Sequence, residues 1–217
     1  MANATIVTTH GYAVASGRLL GATPSQAEPK YMAIGIGTST AEVSDTAEFA
    51  ELTTALWTGY ARGAAAGTQT TTTTTDDTGQ WVDTFTAPAS GGPWAVTECS
   101  LHDAVGAAPQ TTLSTAISST GTTTAVVASA TGFPGSGTYE IQMLTEVMLV
   151  TAGQGTTSWT VTRGANGSTA LASIPSSTPV MGGQTTAGGA CFIHASFGVI
   201  TLSPNDSLQL TVQAVAS

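Results

Sequence analysis

The side chains suited to metal, thiol or acid–base chemistry are few: three histidines, two cysteines and thirteen carboxylates among 217 residues. The segments WAVTECSLHDA and ACFIHASFGVITL each hold one cysteine and one histidine, and both read as strands. An antiparallel register that sets Ala104 opposite Ala190 makes His102 and His194 diagonal neighbours on one face, with Cβ atoms about 7 Å apart. Two imidazoles so placed are a candidate metal pair. Glu98 is the one obvious further ligand, which leaves the set short of a tetrahedral zinc shell. The same register separates Cys99 from Cys191 by roughly 13 Å at a rise of about 3.4 Å per residue. A disulfide needs Cα atoms within about 7 Å, so both read as buried free thiols.

Other motifs point away from catalysis. No nucleophile elbow, H-E-x-x-H pair or phosphate loop occurs, and the scattered Ser, His and Asp residues have no triad spacing, so neither an enzymatic centre nor a cofactor is expected. Glu140, Glu146, Asp76 and Asp77 fall in strands or turns, where solvated faces account for them. Trp159, in SWTVTRG, is a candidate for stacking on a glycan, although its alternation with Val161 also fits a core strand. GANGS, from Gly164, supplies Gly and Asn for a tight turn with positive φ.

The elements that must position these groups are strands. Threonine-rich, lysine-poor composition favours them, because β-branched side chains suit a pleated surface while Gly and Pro punctuate turns. GYAVASGRLL, from Gly11, is the one place near the start where a short helix is expected, with Val14, Leu19 and Leu20 for one face; a linker-like ATPSQAEP follows. YMAIGIGT, from Tyr31, reads as a buried strand, and Ser44 is expected to cap a short helical turn carrying Glu48. A threonine run over residues 70–75 reads as a strand, with disordered low complexity as the alternative, followed by a turn over residues 76–79 and a second strand bearing Trp81, Val82 and Phe85. Leu208, Leu210 and Val212 alternate with polar residues in a last half-buried strand.

The register assigns faces. Thr97, Cys99 and Leu101 share an apolar side with Cys191, Ile193, Ala195, Phe197 and Val199, whereas Glu98, Ser100, His102, His194 and Ser196 collect on the other. The second side reads as a solvent or partner face, with Glu98, His102 and His194 as a possible contact surface.

Between these two strands lies a segment of some seventy residues with its own strand candidates in TAVVAS, TYEIQML, EVMLVTA and SWTVTRG. A loop tip accepts such an insertion because lengthening a closed loop adds little entropy. The expected architecture is therefore all-β: a discontinuous β-sandwich-like host domain over residues 1–108 and 182–217, with a small inserted β module over residues 109–181 in a hairpin loop.

The formal net charge of -9, from four Lys and Arg against thirteen Asp and Glu, argues against a nucleic-acid partner and against anionic membrane surfaces. The start of the chain lacks a basic stretch followed by an apolar core, and no run approaches the length of a membrane span, so synthesis in the cytoplasm is expected.

Four segments together carry a resemblance: EPKYMAIGIGTSTAEVSDTAEFAEL, TQTTTTTTDDTGQWV, WAVTECSLHDA and CFIHASFGVITLSPNDSLQLTVQ. In this order they resemble a family of tailed-bacteriophage virion proteins, matching at Tyr31, Gly35, Gly37, Thr38, Asp45, Thr46, Thr97, Glu98, Leu101, Asp103, Ala104, Phe197, Asp206, Ser207 and Leu208. His102 stands where an aromatic is usual and Asn205 where a Gly is usual. The insert resembles a separate module of phage structural proteins through residues 130–134, Tyr139, Ile141, Glu146, residues 148–153, residues 159–164, Asn166 and Gly167. Both resemblances imply a virion component. The expected role is a capsid decoration, or cement, protein that binds the outside of the shell formed by the major capsid protein, as a homo-oligomer and by analogy a trimer. The alternative they imply is a tail- or fibre-associated adhesin whose insert recognises a host-surface glycan.

Overall fold

The computed structural model describes residues 4–21, 27–106, 108–183 and 189–215. Part of the linker-like stretch after the first helix, residues 22–26, lies outside them. In chain order the first strands are β1 (Ala4–Val7), β2 (Tyr31–Gly35), β3 (Gly63–Ala64), β4 (Thr68–Thr70), β5 (Thr78–Thr86) and β6 (Trp94–His102). They are followed by β7 (Gln110–Thr112), β8 (Thr124–Val126), β9 (Tyr139–Met143), β10 (Glu146–Ala152) and β11 (Ser158–Thr162). The last three are β12 (Pro179–Gly183), β13 (Cys191–Leu202) and β14 (Ser207–Val215). The single α-helix among the described residues, α1, spans Thr9–Leu19.

β1, β13, β6, β2 and β3 form one antiparallel sheet in that order, and β14, β5 and β4 form a second. Alternation builds the core between them. Met32 pairs across to Leu101 and Ile34 to Cys99, Ile193 pairs to Leu101 and Ala195 to Cys99, and all six side chains are buried. Phe85 of β5 and Val212 of β14 join the same core. Burying this apolar area is the main driving term, at about 25 cal/mol per Å². The fold is thus all-β and sandwich-like.

Residues 110–183 contribute every strand of the third sheet, in the order β7, β12, β9, β10, β11, β8. Its core is separate: Leu113, Ile117, Ile141, Met148, Val150, Trp159 and Ile174 are each 0–1% exposed. Gly164 at φ 63 and Asn166 at φ 49 make the tight turn expected of GANGS.

The expected register holds from Ile193 opposite Leu101 to Ser196 opposite Glu98. Bulges in β13 shift it on both sides, so Cys191 faces His102, and Val199, expected in the core, is 64% exposed. Thr8 caps α1 by accepting from the Gly11 amide at 3.2 Å. Gly11 and Val14 are the buried face of the helix, while Leu19 and Leu20, expected beside Val14, are 89% and 84% exposed.

Two local expectations are corrected. Only Thr70 of the threonine run belongs to a strand, and the remainder turns back because the Asp77 carboxylate accepts from the amides of Thr72, Thr73 and Thr74 at 2.7–2.8 Å. Those three bonds offer the backbone an alternative to a ladder, which outweighs threonine's strand propensity. The segment carrying Ser44 and Glu48 forms turns and bends rather than a helical turn, because the Glu42 amide is taken by Asp45 and the Phe49 and Ala50 amides by Glu98 on the sheet.

Candidate functional site

The polar face of β6 and β13 is the centre of the molecule's ionisable chemistry, and it is not a surface. Glu98, His102 and His194 are each 0% exposed, Ser100 1% and Ser196 2%. The possible contact face proposed for Glu98, His102 and His194 is therefore overturned. Residues 36–62 cover it, with the Phe49 ring 5.2 Å from the His194 ring.

Burial of that many polar groups demands partners, and they are supplied almost completely. Glu98 accepts from the amides of Gly37 and Ala50 at 2.8 Å and Phe49 at 3.0 Å, and its fourth partner is His194 Nε2 at 3.0 Å. His194 Nδ1 meets Asp45 Oδ2 at 2.6 Å, and Asp45 also accepts from the Glu42 amide. One imidazole thus joins a sheet carboxylate to a loop carboxylate. Burial disfavours its charged form, but the hydrogen bonds to Asp45 and Glu98, with their charges, outweigh this and raise its pKa to about 9.

His102 has the opposite environment. Its Nε2 lies 2.7 Å from Ser100 Oγ, and burial first, then Arg62, hold its pKa well below the ordinary imidazole value. The two imidazoles are therefore in separate networks, which removes them as a shared metal pair. Among the described residues no group of three or more His, Cys, Asp or Glu side chains is arranged to hold a metal ion. Cys99 and Cys191 are free and buried, and burial followed by the Glu48 and Glu98 charges pushes Cys99 up to about 12.

Residues that sequence reasoning missed complete the network. Arg62 grips Glu51 with two bonds of 2.8 and 2.7 Å, both side chains 1% exposed. Arg62 also donates to the Ala104 carbonyl, and the Ala108 amide donates to Glu51, so the pair clamps the chain where it leaves β6 for the third sheet. Glu48, 1% exposed, is raised well above the ordinary carboxyl range by burial, then by Glu51 and Glu98, which favours the neutral acid. The available signal was scarcity: with only four Lys and Arg in the chain, each is a candidate for a fixed bidentate role.

The third sheet repeats the device. Arg163 grips Glu146 at 2.6 and 2.7 Å, and Glu146 also accepts from the amides of Gly164 and Leu171. Glu146 is 0% exposed, not on the solvated face expected of it. Trp159, the candidate glycan platform, is also 0% exposed. It packs against Phe133 and Tyr139 at 4.9 and 5.8 Å, and its indole N–H donates to the Thr156 carbonyl. No sugar can stack on it in this fold.

No protein-family model, curated protein or solved structure matches the chain. What these groups can do chemically rests on geometry alone. Every buried carboxylate named above except Glu48 accepts backbone amides, and both imidazoles are 0% exposed, so the arrangement fixes loops to sheets. Two of the hollows at the surface of the described residues are large enough for a small molecule. One, of about 660 Å³, is largely apolar and includes Tyr31 and Trp81. The other, of about 500 Å³, lies between the loop carrying Asp45 and strand β9, and is walled by carboxylates.

No helix of the described residues is long and apolar enough to cross a membrane.

Proposed function

We propose that the chain is a structural component of a tailed-phage virion, a decoration protein that binds the outside of the capsid shell and stabilises it through repeated subunit contacts. The observation that carries this reading concerns the acids of the two resemblance patterns. Asp45, Glu98, Asp103, Asp206 and Glu146 each accept a hydrogen bond from a backbone amide, those of Glu42, Gly37, Ala190, Ser203 and Gly164 among them. The acids shared with that family therefore serve backbone geometry, as a scaffold protein requires.

A second feature supports assembly. Among the described residues β14 pairs only with β5, leaving one edge of the nine-residue SLQLTVQAV without a ladder partner, and that strand carries no charge and no proline. Such an edge invites pairing with another chain, and a symmetric oligomer or a shell contact would cover it. The adhesin alternative loses its anchor, because Trp159 belongs to the core of the third sheet.

The test is co-sedimentation of purified protein with capsids that lack it, counting copies per particle. Saturation at a multiple set by the icosahedral lattice is expected. Absence of binding, or a handful of copies per particle, would overturn the capsid role.

A further inference from the structure

The carboxylate-walled hollow is built from two parts of the chain that are distant in sequence. Glu42 and Asp45 come from the loop over the host sheet, and Glu140 and Asn166 from the third sheet and its turn. No Lys, Arg or His lines it. His194 bonds Asp45 from behind and is already shared with Glu98.

Two polar groups in the wall are unused. Ser39 is 7% exposed and its hydroxyl has no hydrogen-bond partner. Glu140 Oε1 accepts from the Asn166 amide at 2.7 Å, but Oε2 is shielded from solvent and unpartnered. Buried acceptors without donors are unfavourable, and a ligand that supplies donors removes the penalty. Burial first, then the Asp45 and Glu42 charges, raise the Glu140 pKa, so the three acids feel one another across the space. Phe49 forms part of the wall, and an aromatic ring is a favourable neighbour for a cation.

The size and arrangement choose the ligand class. These carboxylates do not converge as a metal-ligating group. About 500 Å³ is far more than one bare ion fills and falls in the range of small-molecule sites. We propose that this hollow binds an organic cation, a guanidinium or alkylammonium group, which bridges Glu42 and Asp45 of the host loop to Glu140 of the third sheet. The bound group would tie the two sheets' relative orientation to occupancy. The site stands whether or not the chain decorates a capsid.

The experiment is an amide-resolved NMR titration of the full chain at low salt with agmatine, and in parallel with an arginine-containing basic peptide and with calcium chloride. Saturable shifts confined to Ser39, Thr40, Phe49 and Asn166 are expected with agmatine, weakened at least tenfold in both Glu140→Gln and Glu42→Gln. Glu42 is exposed, so its variant reports on binding even if Glu140→Gln perturbs folding. Tighter binding of the peptide would identify a partner's basic side chain as the source of the cation, and binding of agmatine alone a free small molecule. No saturable shift, binding by either variant as tight as that of the parent, or a response to calcium without one to agmatine would overturn the proposal.

Discussion

The buried imidazolium of His194 makes a quantitative demand on how stability depends on pH. Its folded pKa of about 9 exceeds the 6.5 of an unperturbed histidine, so the folded state holds the proton more tightly. A group raised in this way contributes its stabilisation fully below the unfolded value and loses it as pH rises through the folded one. At 1.36 kcal/mol per unit, the loss between about pH 6 and pH 9 is about 3 kcal/mol. Glu48 has the same sign, since its raised pKa also favours proton uptake on folding, so the measurement belongs in a Glu48→Gln background. Thiol titration acts mainly above this window, and it cancels in the difference between His194 and His194→Gln chains. The assay is denaturant unfolding of both at several pH values, with the His194 ring titrated directly by NMR. The parent should lose about 3 kcal/mol more than the variant across the window. Parallel curves, or a ring midpoint near 6.5, would refute the claim that Asp45 and Glu98 hold a charged imidazole.

Glu98 and Glu48, both buried, should respond differently to the same isosteric change. Glu98→Gln places amide protons against the amides of Phe49 or of Gly37 and Ala50 and leaves a buried imidazolium half paired, which should remove about 3–5 kcal/mol of stability by denaturant midpoint. Glu48→Gln keeps a neutral group in place and should change stability by less than about 1 kcal/mol, so equal effects would refute the assignment of charge. Trp159→Ala should remove about 3–5 kcal/mol from the third sheet by emptying its aromatic cluster, read as loss of near-ultraviolet dichroism at a lower denaturant concentration. A variant as stable as the parent would contradict the core placement.

Local pattern was enough to place most strands, because a period of two and a Gly- or Pro-bearing turn are properties of short segments. Tyr31–Gly35, Tyr139–Met143, Glu146–Ala152, Ser158–Thr162 and Ser207–Val215 all fall where alternation or apolar continuity puts them. Even the pairing of Ala195 with Cys99 was legible, since sliding either strand by one residue would turn Ile193 or Leu101 onto the polar side. The bulges were not, because an extra residue in β13 leaves the composition of the strand unchanged. Alternation also separates Glu98, His102 and His194 from the apolar side without saying what lies above them. Solvent and a buried polar network present the same sequence, and residues 36–62 decide between the two by folding over that face with amides and an arginine in place. That segment has no period to read: its conformation is set by hydrogen bonds to Glu98 and His194, groups brought within reach only after the sheet has formed. The charge on His194, the clamp of Arg62 on Glu51 and the acid-walled hollow all depend on that long-range closure, and so belong to the tertiary structure alone.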